Sequence, residues 1–225
     1  MTAWDALIGQ DAVINELSRA AAGHGMTHAW LITGPPGSGR STAAAAFAAA
    51  LQCPESGCGE CSVCRSARTG VHPDVEIVRS DTLSYSADDA RELVARSSVV
   101  PADAPWHVVI VEDADRFTDQ AVNVLLKALE EPPPHLVWIL CAPSAEDVLP
   151  TIRSRSRILH LRTPSTAEVA EALRVRNGVD PAMAAFAARA SQGHVGRARA
   201  LATDEGARVR RQEILRIPQS LRDAE

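Results

Sequence analysis

The sequence predicts an α/β domain built on a five-stranded parallel sheet, followed by a small all-α domain. Three observations predict it. Five short apolar runs alternate with helical patterns between residues 29 and 161. A glycine-rich loop joins the first run directly to a helix. After Leu161 the strand signals cease and helix caps take over.

The runs are Ala29–Thr33, Val75–Val78, His107–Val111, Leu136–Cys141 and Ile158–Leu161. Each is nearly continuous in apolar residues and bounded by turn signals, the pattern of a strand buried on both faces. Helical patterns cover Asp11–Ala22, Ser41–Leu51, Ala87–Ser97, Asp119–Glu130 and a short stretch near Glu146–Leu149. Pro132, Pro133 and Pro134 stop the fourth of these, because proline removes a donor and clashes with the preceding turn. Alternation of this kind implies a doubly wound α/β domain over 1–162.

In the remainder, Ser165 and Glu168 form a capping box that opens a helix through about Arg176. Asp180-Pro181 caps a second helix to Ser191, and a third begins near Gly196. These three make a small lid over 163–205. The tail from Ala207 is helical in pattern, with Pro218 expected to interrupt it.

Net charge is −5, so the chain is not a globally basic nucleic-acid coat, and any DNA contact needs a local basic patch. Aromatic content of 4% leaves Ala, Val, Leu and Ile to fill the core. No apolar run reaches membrane-spanning length and no secretory leader is visible, so no membrane partner is expected and the expected compartment is cytoplasmic.

The first loop reads Gly34-Pro-Pro-Gly37-Ser38-Gly39-Arg40-Ser41-Thr42. It matches the phosphate-binding pattern GxxxxGK[ST] except at position 40, where Arg replaces Lys. Glycines let backbone N–H groups wrap phosphate oxygens, the helix N-terminus adds its dipole, and Ser41 is placed to reach magnesium. Arginine is a wide planar fork where the pattern calls for a slim point charge, so weak or non-productive ATP/Mg binding is expected. A P-loop enzyme also needs carboxylates at the end of a neighbouring strand. The third strand ends in Glu112-Asp113, the reverse of the usual Asp-then-Glu order. That reversal misplaces both carboxylates by about one methylene, at a site where ~1 Å matters.

Cys53, Cys58, Cys61 and Cys64 form C-x4-C-x2-C-x2-C. In a reducing cytosol this density argues for metal over disulfides. Four thiolates leave no open position, so structural zinc is the expected occupant, with an iron–sulfur cluster as the alternative. Cys141 stands apart in an apolar strand and reads as a buried side chain.

Three arginines alternate before the fifth strand, at Arg153, Arg155 and Arg157. Here the order of motifs resembles the bacterial DNA polymerase III clamp-loader subunits, which belong to the AAA+ P-loop class. Ser154-Arg155-Ser156 resembles that family's Ser-Arg-Cys motif, with Ser for Cys. Trp4-Asp-Ala-Leu-Ile8-Gly9-Gln10 resembles its adenine-side segment. Asn123-Val-Leu-Leu-Lys127-Ala-Leu-Glu130-Glu131-Pro132-Pro133 resembles its most recognisable helix, and the cysteine module lies where the family carries zinc. The resemblance spans about residues 4 to 205.

It implies that Arg155 is an arginine finger acting in trans on ATP bound by a neighbouring subunit. It implies gamma/tau and delta subunits as partners, and the sliding clamp and primer–template DNA through the complex. The altered P-loop, the reversed acids, Ala142-Pro143 at the strand-four sensor position and Arg197 one residue late in the lid favour the non-hydrolysing delta-prime type over the gamma/tau motor. The reading of another class is a zinc-containing DNA-binding module. The resemblance also implies a third, helical collar domain, and 206–225 is expected to be the start of it in a truncated chain.

Overall fold

A computed structural model describes residues 2–80, 82–102 and 104–222; the last three residues of the expected collar segment, 223–225, lie outside the described residues. The chain divides into two compact units, Met1–Arg162 and Thr163–Glu225.

The first unit runs α1 (Asp11–Ala21), β1 (Ala29–Thr33), α2 (Arg40–Gln52), α3 (Ser62–Thr69), β2 (Val75–Val78), α4 (Ala87–Ser97), β3 (His107–Val111), α5 (Asp119–Glu130), β4 (Leu136–Ala142), α6 (Pro150–Arg153) and β5 (Arg157–His160). The five strands form one sheet in the order β2-β3-β4-β1-β5, with every pairing parallel. β1, β3 and β4 are buried along their whole length, as continuous apolar runs require when both faces are covered. Period-two alternation divides the core between the faces. Trp30, Ile32, Val108, Ile110 and Ile139 pack with Phe47 and Leu17 on one side. Leu31, Val109, Val111, Trp138 and Leu140 pack with Leu93, Leu125 and Leu129 on the other. Phe47 meets Trp30 edge to face, with ring centroids 5.1 Å apart.

Four elements differ from expectation. The short helix expected near Glu146–Leu149 lies at α6 instead. Ser144 Oγ accepts from the Glu146 N–H and turns the chain, and Pro150 then occupies the first helical position, where a missing donor costs nothing. β5 begins one residue early, because Arg157 pairs across to Trp30, rests over its ring and bonds Glu16. α3 was not expected at all; Cys61 Sγ caps it by accepting from the Cys64 N–H at 3.3 Å. In the tail, the helix passes Pro218 without a break.

The second unit contains α7 (Thr166–Asn177), α8 (Pro181–Ser191), α9 (Val195–Thr203) and α10 (Glu205–Arg222) around Val169, Leu173, Ala187, Ala188, Ala198 and Leu201. The capping box at Ser165 and the Asp180 cap form as read. Gly193 is obligatory: at φ +82°, a Cβ there would lie 2.3 Å from Thr163 Cγ2 and 2.8 Å from the Pro164 carbonyl. Ala207 packs on the same core and Arg208 donates to the Leu201 carbonyl at 3.0 Å, so α10 is continuous in packing with α9.

Candidate functional site

The candidate site lies at the C-terminal ends of β1, β3 and β4, where open α/β sheets place their ligands. The loop Gly34–Gly39 leaves β1 and enters α2 directly. Gly34 is buried and in close contact: a Cβ there would sit 2.7 Å from both the Leu161 carbonyl and Ser38 Oγ. Its N–H donates to the Pro143 carbonyl at 3.1 Å, tying the loop to the end of β4. Gly37 and Gly39 both have positive φ, Ser41 is exposed and Thr42 is half-buried at the first turn of α2. The first N–H groups of that helix have no intrahelical partner and are the groups a phosphate would meet. Ser38 Oγ is buried without a hydrogen-bond partner, a polar atom suited to a ligand.

Arg40 does not point its charge into open space. Its guanidinium donates to the carbonyl of Gly34, at the start of the same loop. Gln10, which sequence reasoning placed only by resemblance, fastens the loop from behind. Its Nε2 donates to the carbonyls of Arg162 at 2.7 Å and Ser38 at 3.4 Å, and its Oε1 accepts from the Arg162 N–H at 3.2 Å.

The acidic pair stands at the end of β3. Arg79 Nη2 lies 3.1 Å from Glu112 Oε1, an ion pair that holds the Arg79 charge more firmly than usual. Tyr85 donates its hydroxyl to the Glu112 carbonyl at 2.8 Å; burial first, then the Asp113 charge, pushes that phenol up to about 12. Asp113 takes a left-handed conformation, φ 55°, and lies 3.6 Å from Arg116. Asp115 has a buried, unpartnered Oδ1, and burial, with Asp113 and Asp147 adding to it, raises its carboxyl above the ordinary value. Cys141 is fully enclosed in β4, and burial pushes its thiol up to about 12, an inert buried side chain.

The four cysteines come together. Cys53 Sγ lies 3.8 Å from Cys58 Sγ and 3.9 Å from Cys61 Sγ, and Cys58 lies 4.0 Å from Cys64. All four sulfurs fall within 4.8 Å of one another. A tetrahedron with metal–sulfur bonds of about 2.3 Å has edges of about 3.8 Å, whereas a disulfide needs about 2.05 Å. The set therefore fits one tetrahedral ion. Backbone N–H groups of Gly59 and Cys64 point at Cys64 and Cys61 sulfurs, the usual support of thiolate ligands.

Arg155 stands between α6 and β5. Its Nη1 donates to the Thr151 carbonyl at 2.9 Å and to Ser154 Oγ at 3.3 Å, and its Nη2 lies 2.5 Å from Glu130 Oε1. The sequence placed Glu130 only within the Asn123–Pro133 stretch that resembles the family's helix. Its partner, like those of Glu112 and Gln10, lies too far along the chain for any local signal.

Strand order, a phosphate-type loop after β1 and acids after β3 define an AAA+-type P-loop fold. Among solved structures, a Thermotoga maritima DNA polymerase III gamma subunit-related protein matches with a TM-score of 0.52 at 22% identity, over 80% of this chain and 57% of that one. The T. maritima RuvB Holliday junction branch migration motor matches with a TM-score of 0.60 at 19% identity, over 85% of this chain and 60% of its own. A family model described as "DNA polymerase III, delta subunit" matches residues 9–165. The DNA polymerase III subunit gamma/tau of Mycobacterium tuberculosis is 37% identical over 155 residues, 67% of this chain and 27% of that protein. The subunit tau of Bacillus subtilis is 31% identical over 154 residues, again 27% of its length. The chain belongs to the DNA polymerase III clamp-loader family, and it spans about a quarter of these curated relatives. Among the described residues, no helix is long and apolar enough to cross a membrane.

Proposed function

We propose that this chain is a delta-prime-type clamp-loader subunit: it binds ATP weakly or non-productively and supplies Arg155 to ATP on a neighbouring gamma/tau subunit. One observation carries the reading, the Arg40 guanidinium bonded to the Gly34 carbonyl of its own loop. A wide fork tethered to its own loop does not sit under the phosphates as the slim lysine of the pattern does, which supports weak or non-productive binding. Arg79 on Glu112 supports the same conclusion, because it engages a carboxylate that magnesium would need. Should ATP bind, the N–H groups of Gly37 and of residues 39–42 would hold its phosphates and Ser41 its metal, the Ser38 N–H being bonded to the Pro35 carbonyl at 3.0 Å.

In this reading Arg155 stabilises charge on the phosphoryl group transferred in the neighbour's site. Residues 1–162 form the AAA+ body and 163–205 the lid. Zinc on the four cysteines cross-links the end of α2 to α3, with no catalytic part. Partners are gamma/tau and delta subunits, with the sliding clamp and primer–template DNA met through the complex, in the cytoplasm.

The second reading is a gamma/tau-type motor, and the names of the curated relatives favour it over delta-prime. ATP turnover by the isolated chain separates the two. The proposal expects none above background; tight binding with turnover would establish the motor.

A further inference from the structure

The finger is mounted as well as exposed. Arg155 is one-third exposed, yet its guanidinium has three acceptors: the Thr151 carbonyl, Ser154 Oγ and Glu130 Oε1. The first two come from the same short turn and move with it. Glu130 comes from another element, the last residue of α5, which is itself anchored. His28 Nε2 bonds the Leu129 carbonyl at 2.8 Å, Leu129 is buried against the sheet, and three prolines follow closely. Two Nη1 contacts leave the guanidinium plane free to swing about its stem, and a charge-assisted contact on Nη2 from a fixed helix end removes that freedom. Five N–H donors less three leave Nε–H and one Nη2–H to face a ligand.

From this geometry we infer that Glu130 is a positioning residue for the finger, fixing the orientation of Arg155 before a neighbour's phosphate arrives. The inference rests on the reading of Arg155 as a finger. Orientation of a group that acts on the transition state affects kcat and leaves KM nearly unchanged. The carboxylate role is geometric, so a neutral oxygen in the same place retains much of it.

The test uses the assembled loader complex, with ATP turnover measured for Glu130→Ala, Glu130→Gln, Arg155→Ala and the double Glu130→Ala/Arg155→Ala variant. Glu130→Ala is expected to lower kcat by about tenfold or more, short of the ~10²-fold that a full 1 Å misplacement can cost, with KM for ATP within about twofold. Glu130→Gln should recover most of that loss, and Glu130→Ala should add nothing once Arg155 is gone. If Arg155→Ala lowers kcat but Glu130→Ala leaves it unchanged or raises it, positioning is overturned while the finger reading stands. If Glu130→Ala lowers the rate equally in the absence of Arg155, its role is general stability and positioning is again overturned. Unchanged turnover in Arg155→Ala would remove the finger reading itself.

Discussion

The Arg40 guanidinium donates to the carbonyl of Gly34, six residues earlier in the same loop. The loop thereby closes on an internal cation. Lysine is slimmer and lacks the planar fork that holds the Gly34 carbonyl, so its ammonium is free to reach phosphate. Arg40→Lys is therefore expected to tighten ATP binding by the isolated chain about tenfold, a change of ~1.4 kcal/mol. Calorimetric titration of both proteins checks it, and equal or weaker binding by the lysine variant contradicts the loop-closing role.

The close fit of Gly34 makes a second, structural prediction. A methyl group there must displace both the Leu161 carbonyl and Ser38 Oγ, each 2.7 Å away, so Gly34→Ala should destabilise the first unit by about 2–3 kcal/mol. In thermal melts that corresponds to a fall of roughly 4–12 °C. A melt unchanged by the substitution would mean the loop and Leu161 separate more easily than their packing implies.

Metal analysis tests the cysteine cluster. One ion per chain is expected, colourless for zinc, and a visible absorbance band would identify an iron–sulfur cluster instead. Chelation, or Cys58→Ser, should lower the melting temperature by more than about 5 °C, since the ligands gather only in the folded chain. Purified metal-free protein with an unaltered melt would remove the structural assignment.

His107 carries the pH prediction. Its Nε2 is buried without a partner, and burial lowers its basicity despite the nearby charges of Glu76 and Asp74. The unfolded chain then binds the proton more readily than the folded one. Stability from this group is present above about pH 6.5 and is lost as the pH falls through the lowered folded value. Urea unfolding at pH 7.5 and 5.5 should show a loss that His107→Leu diminishes; an identical loss in the variant would place its origin elsewhere.

The sheet was legible because its strands are buried on both faces and so read as unbroken apolar runs. Phosphate-loop and cysteine spacings were legible because their chemistry is local, within nine and twelve residues of chain. α3 was hidden by a cysteine segment whose composition resembles a loop and whose cap is a sulfur. α6 was displaced because proline at a first helical position starts a helix as readily as it ends one. Contacts that define how the site behaves join distant residues: Arg79 with Glu112, Arg155 with Glu130, Gln10 with Arg162. Separations of 33, 25 and 152 residues leave no periodic trace in the sequence.

In the proposed function, the chemistry of this chain acts outward through Arg155 and not in its own loop. Steady-state ATP hydrolysis by the assembled loader, compared between Arg155→Ala and Arg40→Ala versions of this chain, tests it most directly. A loss of about 10³-fold or more at the neighbour's site is expected for Arg155→Ala and a change within about twofold for Arg40→Ala. A rate that collapses with Arg40→Ala and survives Arg155→Ala would contradict it.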